Sequence, residues 1–470
     1  MATDTLKKVN KNEVAGMDCV IPPDLFPLPL TTFEQYMLTD DRPDYPMGFV
    51  IEITLSGPLE REVFEAAIDQ ATRRHPLLVA IVAKSSRRLS WENSHQKPTV
   101  YWEENLNDRE PLSIEHLDLR SKPGLETTVH DEGTQSRVSF LFHHAVVDGV
   151  GAMHFIGDLL AIYGQCTSGS NDQWPELSEV EPSLLLQRGQ LHANNSPLNH
   201  SWLRTFRHLY EFLRYYPSGI ASRRSSRKSS KAEPRQPFLT RILNRGELTT
   251  IKNEAIRLNV TPNDIYVANL FQAIKTWNSL QGRVCSKECY RVGIPASLRT
   301  PVHDHSPAAN IVSYIFLNQP GKTIENRKDL IHDIHQRTTQ ILSSTDSRLT
   351  LHCLKVGLWV PGLLSLVMNL PLRLSTATLA NVGDVKRQLN CRFPMKKGKC
   401  VAGSVTLEGL FGAAPIRKGT AVGISVGSYA GQLLMNFNCD PRCFSIEEAE
   451  QFADLFVSLL LNNNRNKIDD

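Results

Sequence analysis

The sequence predicts a mixed α/β protein of two similar lobes with a channel between them. Three observations carry this expectation. The chain has 470 residues, too many for one ordinary core and suited to two domains of roughly 200 residues each. Short β-branched apolar runs alternate with amphipathic helical segments, in a similar order in both halves. A polar, Pro/Ser-rich stretch separates the halves between Cys166 and Pro237.

The elements follow in order. Residues 1–27 read as a loose tail. Met1 to Asp18 mix Lys7, Lys8 and Lys11 with Asp4, Glu13 and Asp18, which excludes a signal peptide. The first lobe is expected over 28–165. There, Leu28 to Phe33 lead into a short helix and residues 48–55 form a strand. Phe64, Ala67, Ile68 and Ala71 line one face of a helix over 60–74, and Pro76 stops it before a strand over 77–82. Residues 166–237 are the expected connection, including the basic run from Ser222 to Lys231, read as a solvated linker. The second lobe is expected over 238–470. Thr261-Pro262-Asn263-Asp264 opens a helix, because Thr261 can cap, Pro262 fits the first turn and Asp264 suits the positive dipole end. Strands are expected over 291–294, 311–317, 378–382, 401–407, 421–427 and 432–438, with a hairpin turn at Tyr429-Ala430-Gly431. Ser445 and Glu448 cap a closing helix.

Composition narrows the function classes. Hydrophobic residues are 41% and charged residues 21%, as in soluble globular proteins. A net charge of +3 gives no strong pull toward nucleic acid. The longest apolar run, 356–372, is broken by Pro361, Gly362, Asn369 and Pro371, so it reads as a buried helix. Peripheral membrane contact beside Lys355 and Arg373 is its alternative. Nine cysteines point to a reducing, cytoplasmic setting with free thiols. A zinc site from Cys285/Cys289 and Cys439/Cys443 is the weaker reading, and no metal is expected.

The most informative stretch is His143-His144-Ala145-Val146-Val147-Asp148-Gly149. Residues 137–142 before it read as a strand, and 150–163 after it as a helix. A histidine at a strand-to-helix junction is held rigidly, which suits a general base. The plain alternative is a satisfied buried histidine pair. Gly149 gives the backbone a place for close approach. Gly423-Ile424-Ser425-Val426-Gly427 spells Gly-x-Ser-x-Gly, but a nucleophile elbow needs a strand-to-helix turn and these residues lie within a strand. His303 and His305 read as solvated loop residues.

The His-His motif resembles the His-His-x-x-x-Asp-Gly signature of the chloramphenicol-acetyltransferase-like acyltransferases. That superfamily includes nonribosomal condensation domains, wax ester synthase/diacylglycerol acyltransferases and polyketide-associated acyltransferases. Other segments resemble it in order: Arg74-His75-Pro76-Leu77-Leu78, Asn263-Asp264, Ile294-Pro295-Ala296-Ser297-Leu298-Arg299, Ala309-Asn310-Ile311-Val312, Leu379-Ala380-Asn381-Val382-Gly383, and Ser428 to Gly431 with Asp440-Pro441. Ala309 and Ala380 depart from the usual glycine and serine.

The resemblance implies two lobes of that fold around an active-site channel, and direct acyl transfer from a thioester to a hydroxyl or amine. His144 would be the base, His143 a support, and Asp148 an internal ion-pair partner of Arg299 or Arg291. Asn381 and Asn310 would contact substrate together with Arg299. Asn381 reads equally well as a turn residue, and Asn263 and Asp264 as helix-cap residues. The co-substrate would be acyl-coenzyme A or a phosphopantetheine thioester on an acyl carrier protein, with no bound cofactor. The acceptor would be a small-molecule or lipid alcohol or amine. A condensation-type enzyme fed by a carrier in trans and a catalytically silent binding protein are the competing readings.

Overall fold

Two sheets carry the molecule. The structure, a computed structural model, describes residues 21–85, 88–103, 114–169, 173–189, 209–210, 212–222, 238–283, 287–343 and 349–465. Most of the N-terminal tail, the basic run after Ser222 and Cys285 lie outside these residues.

The apolar runs of the first half pair into a seven-stranded sheet. Its order is Met395–Lys396, Lys399–Ala402, Val405–Ala413, Gly48–Ser56, Gln135–His143, Leu125–Asp131 and Thr99–Glu103. The strands within 395–413 therefore leave the second half of the sequence and complete the first sheet, with Val405–Ala413 antiparallel to Gly48–Ser56. The second sheet has six strands, in the order Val312–Pro320, Cys289–Ser297, Ala377–Asp384, Val422–Tyr429, Gln432–Cys439 and Leu239–Leu243. A three-stranded sheet of Leu28–Pro29, Arg88–Asn93 and Ala80–Ser85 flanks the first.

Each large sheet buries one face under helices. Helix Gly149–Thr167 packs against the first core, where Phe155 meets Phe140 and Phe142 edge-on. Gly157 allows this fit, since a Cβ there would lie 1.8 Å from the Leu389 carbonyl oxygen. Helices Pro262–Leu280 and Ile446–Arg465 cover the second core, around Trp277, Phe444 and Phe452. Both open with reciprocal caps: Thr261 with Asp264, and Ser445 with Glu448. Ala430 and Gly431 take φ of 50° and 83°, which makes the expected tight hairpin turn.

Three local expectations are corrected. The segment 77–82 is not one strand: Pro76–Val79 is a 3-10 turn with proline at its start, and the strand begins at Ala80. The segment 401–407 is a hairpin of two strands, turning at Gly403 with φ of 59°. The apolar run 356–372 is not a buried helix. It belongs to two short helices, Leu349–Trp359 and Leu363–Asn369, bent by 113°, and Trp359 and Leu366 are each 62% exposed. Among the described residues no single helix is long and apolar enough to cross a membrane, although this bent pair passes that test together.

The sheets leave a crevice. Parallel strands Cys289–Ser297 and Ala377–Asp384 pair only at Ala377 with Val292 and Thr378 with Gly293, then splay apart. The space beyond their carboxyl ends is a favoured ligand position in α/β sheets. A bulge between Asn381 and Gly383 re-aims the strand there.

Candidate active site

The His-His motif sits where the strand Gln135–His143 ends. His143 N–H donates to Gly124 O at 2.9 Å and His144 N–H to Met47 O at 2.7 Å, so neighbouring segments fix both residues. The chain then turns sharply, Val146 N–H donating to His143 O at 2.9 Å, and enters helix Gly149–Thr167. Alternation along the strand sends the two histidines to opposite sides.

His143 points inward and is 1% exposed. Its Nδ1 accepts from Ala145 N–H at 3.0 Å, which puts the ring proton on Nε2. Nε2 lies 3.4 Å from Asp41 Oδ2. Burial alone would raise the Asp41 carboxyl, but the His143 ring, the Met47 N–H and His116 hold it below the usual range.

His144 turns its ring into the crevice, 5.1 Å from the Phe49 ring. Burial pushes its pKa below 6.5, so the ring is neutral at pH 7. The side-chain amide of Asn310 donates to the His144 carbonyl, and its Nδ2 lies 3.4 Å from His144 Nδ1.

Asp148 holds the turn together from below. Its Oδ1 caps the helix by accepting from Gly151 N–H at 2.8 Å, and its Oδ2 accepts from Ile311 N–H at 2.8 Å. Arg299 binds both oxygens, Nη1 at 2.7 Å and Nη2 at 2.9 Å. Burial would raise the Asp148 carboxyl, yet Arg299 and the two N–H donors hold it below the usual range. Arg299 also donates to Ala309 O at 3.1 Å. The pair thus joins the motif to the Ala309-Asn310-Ile311 segment. Arg291, the other candidate partner, lies elsewhere, donating to Asn318 at 2.7 Å and Tyr215 O at 2.6 Å.

The crevice is a cavity of about 150 Å³ between the two sheets. His144, Asp148 and Gly149 line it, with Asn381 and Ser425 on the opposite sheet. Most of the wall is apolar: Val150, Met153, Val312, Val382, Leu410 and Leu434. Gly149 leaves open space, because a Cβ there would meet only Val382 at 3.6 Å. The close approach falls at Gly151 instead, where a Cβ would lie 2.9 Å from the Ala309 carbonyl oxygen.

Other expected residues divide clearly. Asn310 and Arg299 do not line the cavity; they support it from behind. Asn381 lines it, but its Oδ1 accepts from Gly383 N–H at 2.9 Å in a turn and its Nδ2 donates to Asn263 Oδ1 at 3.3 Å. Asp264 is remote, capping its helix and bonding His335 Nδ1 at 2.8 Å. Ser425 lies mid-strand and its Oγ accepts from Ala414 N–H at 3.1 Å, with no elbow around it. The solvated-loop expectation fails for His303, which is 4% exposed and accepts from Thr300 N–H at 3.1 Å. Among the described residues no His, Cys, Asp or Glu cluster could hold a metal.

Sequence reasoning missed one network. Arg74 and His75 bind Asp158 Oδ2 at 2.6 and 3.1 Å, and His75 Nδ1 accepts from Ala308 N–H at 2.8 Å. This fixes the segment that carries Ala309 and Asn310. Its only sequence signal is the Arg-His segment, noted above for resemblance without a role.

No family model matches the chain. Two uncharacterized proteins of Mycobacterium tuberculosis, from strains CDC 1551 / Oshkosh and H37Rv, are each 23% identical over 465 residues, spanning 92% of this chain and 99% of theirs. The trichothecene 15-O-acetyltransferase TRI3 of Fusarium sporotrichioides has a similar structure, with a TM-score of 0.65, 13% identity, and coverage of 92% of this chain and 95% of that one. A mutant starter condensation domain of rhizomide synthetase, solved with C8-CoA and Leu-SNAC, matches with a TM-score of 0.63, 14% identity, and coverage of 92% and 93%. The chain has the two-lobed fold shared by condensation domains and chloramphenicol-acetyltransferase-like acyltransferases.

Proposed function

We propose that this chain moves an acyl group from acyl-coenzyme A to a hydroxyl or amine acceptor, with His144 as general base. The observation that carries the reading is the His144 ring. It is neutral, its backbone carbonyl is held by the Asn310 amide, and it is turned into an apolar cavity between the sheets. A base must be placed before it is useful, and placement of this kind typically gives roughly 10²- to 10⁴-fold in rate.

The steps balance without a covalent enzyme intermediate. The unprotonated ring nitrogen of His144 takes the proton of the acceptor O–H or N–H as that atom attacks the thioester carbonyl carbon. The resulting tetrahedral oxyanion collapses, the C–S bond breaks, and the imidazolium returns its proton to the thiolate sulfur. Gly149 and Val150 line the cavity in the first helical turn, where the helix dipole favours negative charge. Arg299 neutralises Asp148, so that carboxylate does not oppose the developing oxyanion. The apolar wall suits an acyl chain. The fold relatives support the reading: TRI3 is an O-acetyltransferase, and the rhizomide domain was solved with C8-CoA.

The test is thiol release from acyl-coenzyme A esters of graded length, and from acyl-pantetheine, with alcohols and amines supplied in turn. Acceptor-dependent release with an ester or amide product is expected. Hydrolysis without acceptor dependence, or silence with every donor, would overturn the proposal.

A further inference from the structure

We infer that the bent helical pair Leu349–Trp359 and Leu363–Asn369 docks the protein on an anionic lipid bilayer. The inference stands on this surface alone and does not require acyl transfer.

The bend forms an apolar elbow. Trp359 is 62% exposed, Val360 55% and Leu363 36%, and Pro361 and Gly362 between them are exposed too. Leu363, Leu366 and Leu370 recur at helical spacing on the outward side, while Leu364 and Met368 are buried on the inward side against the helix Thr32–Asp40. The elbow is therefore anchored from behind and exposed in front. So many large apolar side chains exposed within one short segment are uncommon on a protein that meets only water.

Charge selects the occupant. From Leu349 to Arg373 the sequence contains no Asp or Glu, while Lys355 and Arg373 flank the elbow. Lys355 is exposed; Arg373 donates to Gly419 O at 3.2 Å and Pro217 O at 3.0 Å, and Lys418 stands exposed beside that glycine. A second copy docking through this surface would bring lysine and arginine against their equivalents with no acid in the segment to pair them. An anionic bilayer satisfies both features at once, taking the Trp359 ring and leucines at the interface and the cations at the headgroups. The first helix, at the end away from the bend, touches the cavity wall. Thr350 Oγ1 donates to the carbonyl of Tyr314 at 2.9 Å, and Tyr314 lines the cavity.

The experiment is co-sedimentation of the full chain with vesicles of phosphatidylcholine alone and with about one-third phosphatidylglycerol, alongside the variants W359S/L363S/L366S and K355E. The three replaced side chains are exposed, so circular dichroism and the melting curve should match wild type. Binding to the anionic vesicles is expected, with a loss of about tenfold or more in the triple variant and a smaller loss in K355E. Equal pelleting of wild type and triple variant would overturn the inference. So would no pelleting of wild type, or a dimer that the triple variant dissolves without any vesicle binding. None of these outcomes bears on thiol release, so this inference and the acyl-transfer proposal fail separately.

Discussion

Replacing Arg299 with Met should both destabilise the protein and loosen the His144 turn. Arg299 is 14% exposed at its side chain and Asp148 is 2% exposed, so solvent screens their pairing little. Removing one partner of a buried pair typically costs about 3–5 kcal/mol, because the remaining charge stays buried. Asp148 keeps two N–H donors at 2.8 Å, from Gly151 and Ile311. The lower end, about 3 kcal/mol, is therefore expected at pH 7. The assay is urea unfolding of wild type and R299M across pH. Asp148 has a folded pKa below its ordinary 3.8, so its stabilisation is complete above that value and is lost as pH falls through the folded pKa. The variant lacks most of this depression, so its deficit should narrow below about pH 4. Turnover should fall by up to about a hundredfold with KM little changed, because the turn that aims His144 is displaced rather than the cavity wall. Equal stability of the two proteins at pH 7, or a deficit independent of pH, would refute the reasoning.

Other consequences follow from the same geometry. Burial depresses the His144 pKa and the neutral ring is the base, so the acid limb of the kcat/KM profile should lie below pH 6.5. A limb at or above that value would contradict it. Gly151→Ala should cost about 1–3 kcal/mol in urea unfolding, since its Cβ would press on the Ala309 backbone, while Gly149→Ala should be near neutral. Similar losses at both positions would count against the packing described. Asn310→Ala should lower turnover and leave a His144 carbonyl without its donor, at about 1–3 kcal/mol in stability. An unchanged variant would show that the amide does not hold the turn.

The sequence showed the strand-to-helix setting of His144 clearly, because period-two and period-3.6 patterns meet at His143 and Gly149. The Asp148–Arg299 pair lay 151 residues apart in the chain, and only resemblance pointed to it. Asn310 was expected to touch substrate but instead holds the His144 carbonyl; residue type gives hydrogen-bonding capacity, not direction. The strands over 395–413 were grouped with the second lobe, because alternation tells which face of a strand is apolar and not which strand lies beside it. The elbow at Trp359 was read as buried for a related reason. An apolar run without charges looks alike in a core and on a surface made for lipid.

The central claim is that a positioned His144 is the base for acyl transfer. Its most direct test is acceptor-dependent thiol release by wild type and His144→Ala at equal concentration, with folding of both checked by circular dichroism. The account predicts a fall of roughly 10²- to 10⁴-fold in turnover in the variant. Equal rates in the two proteins would contradict it.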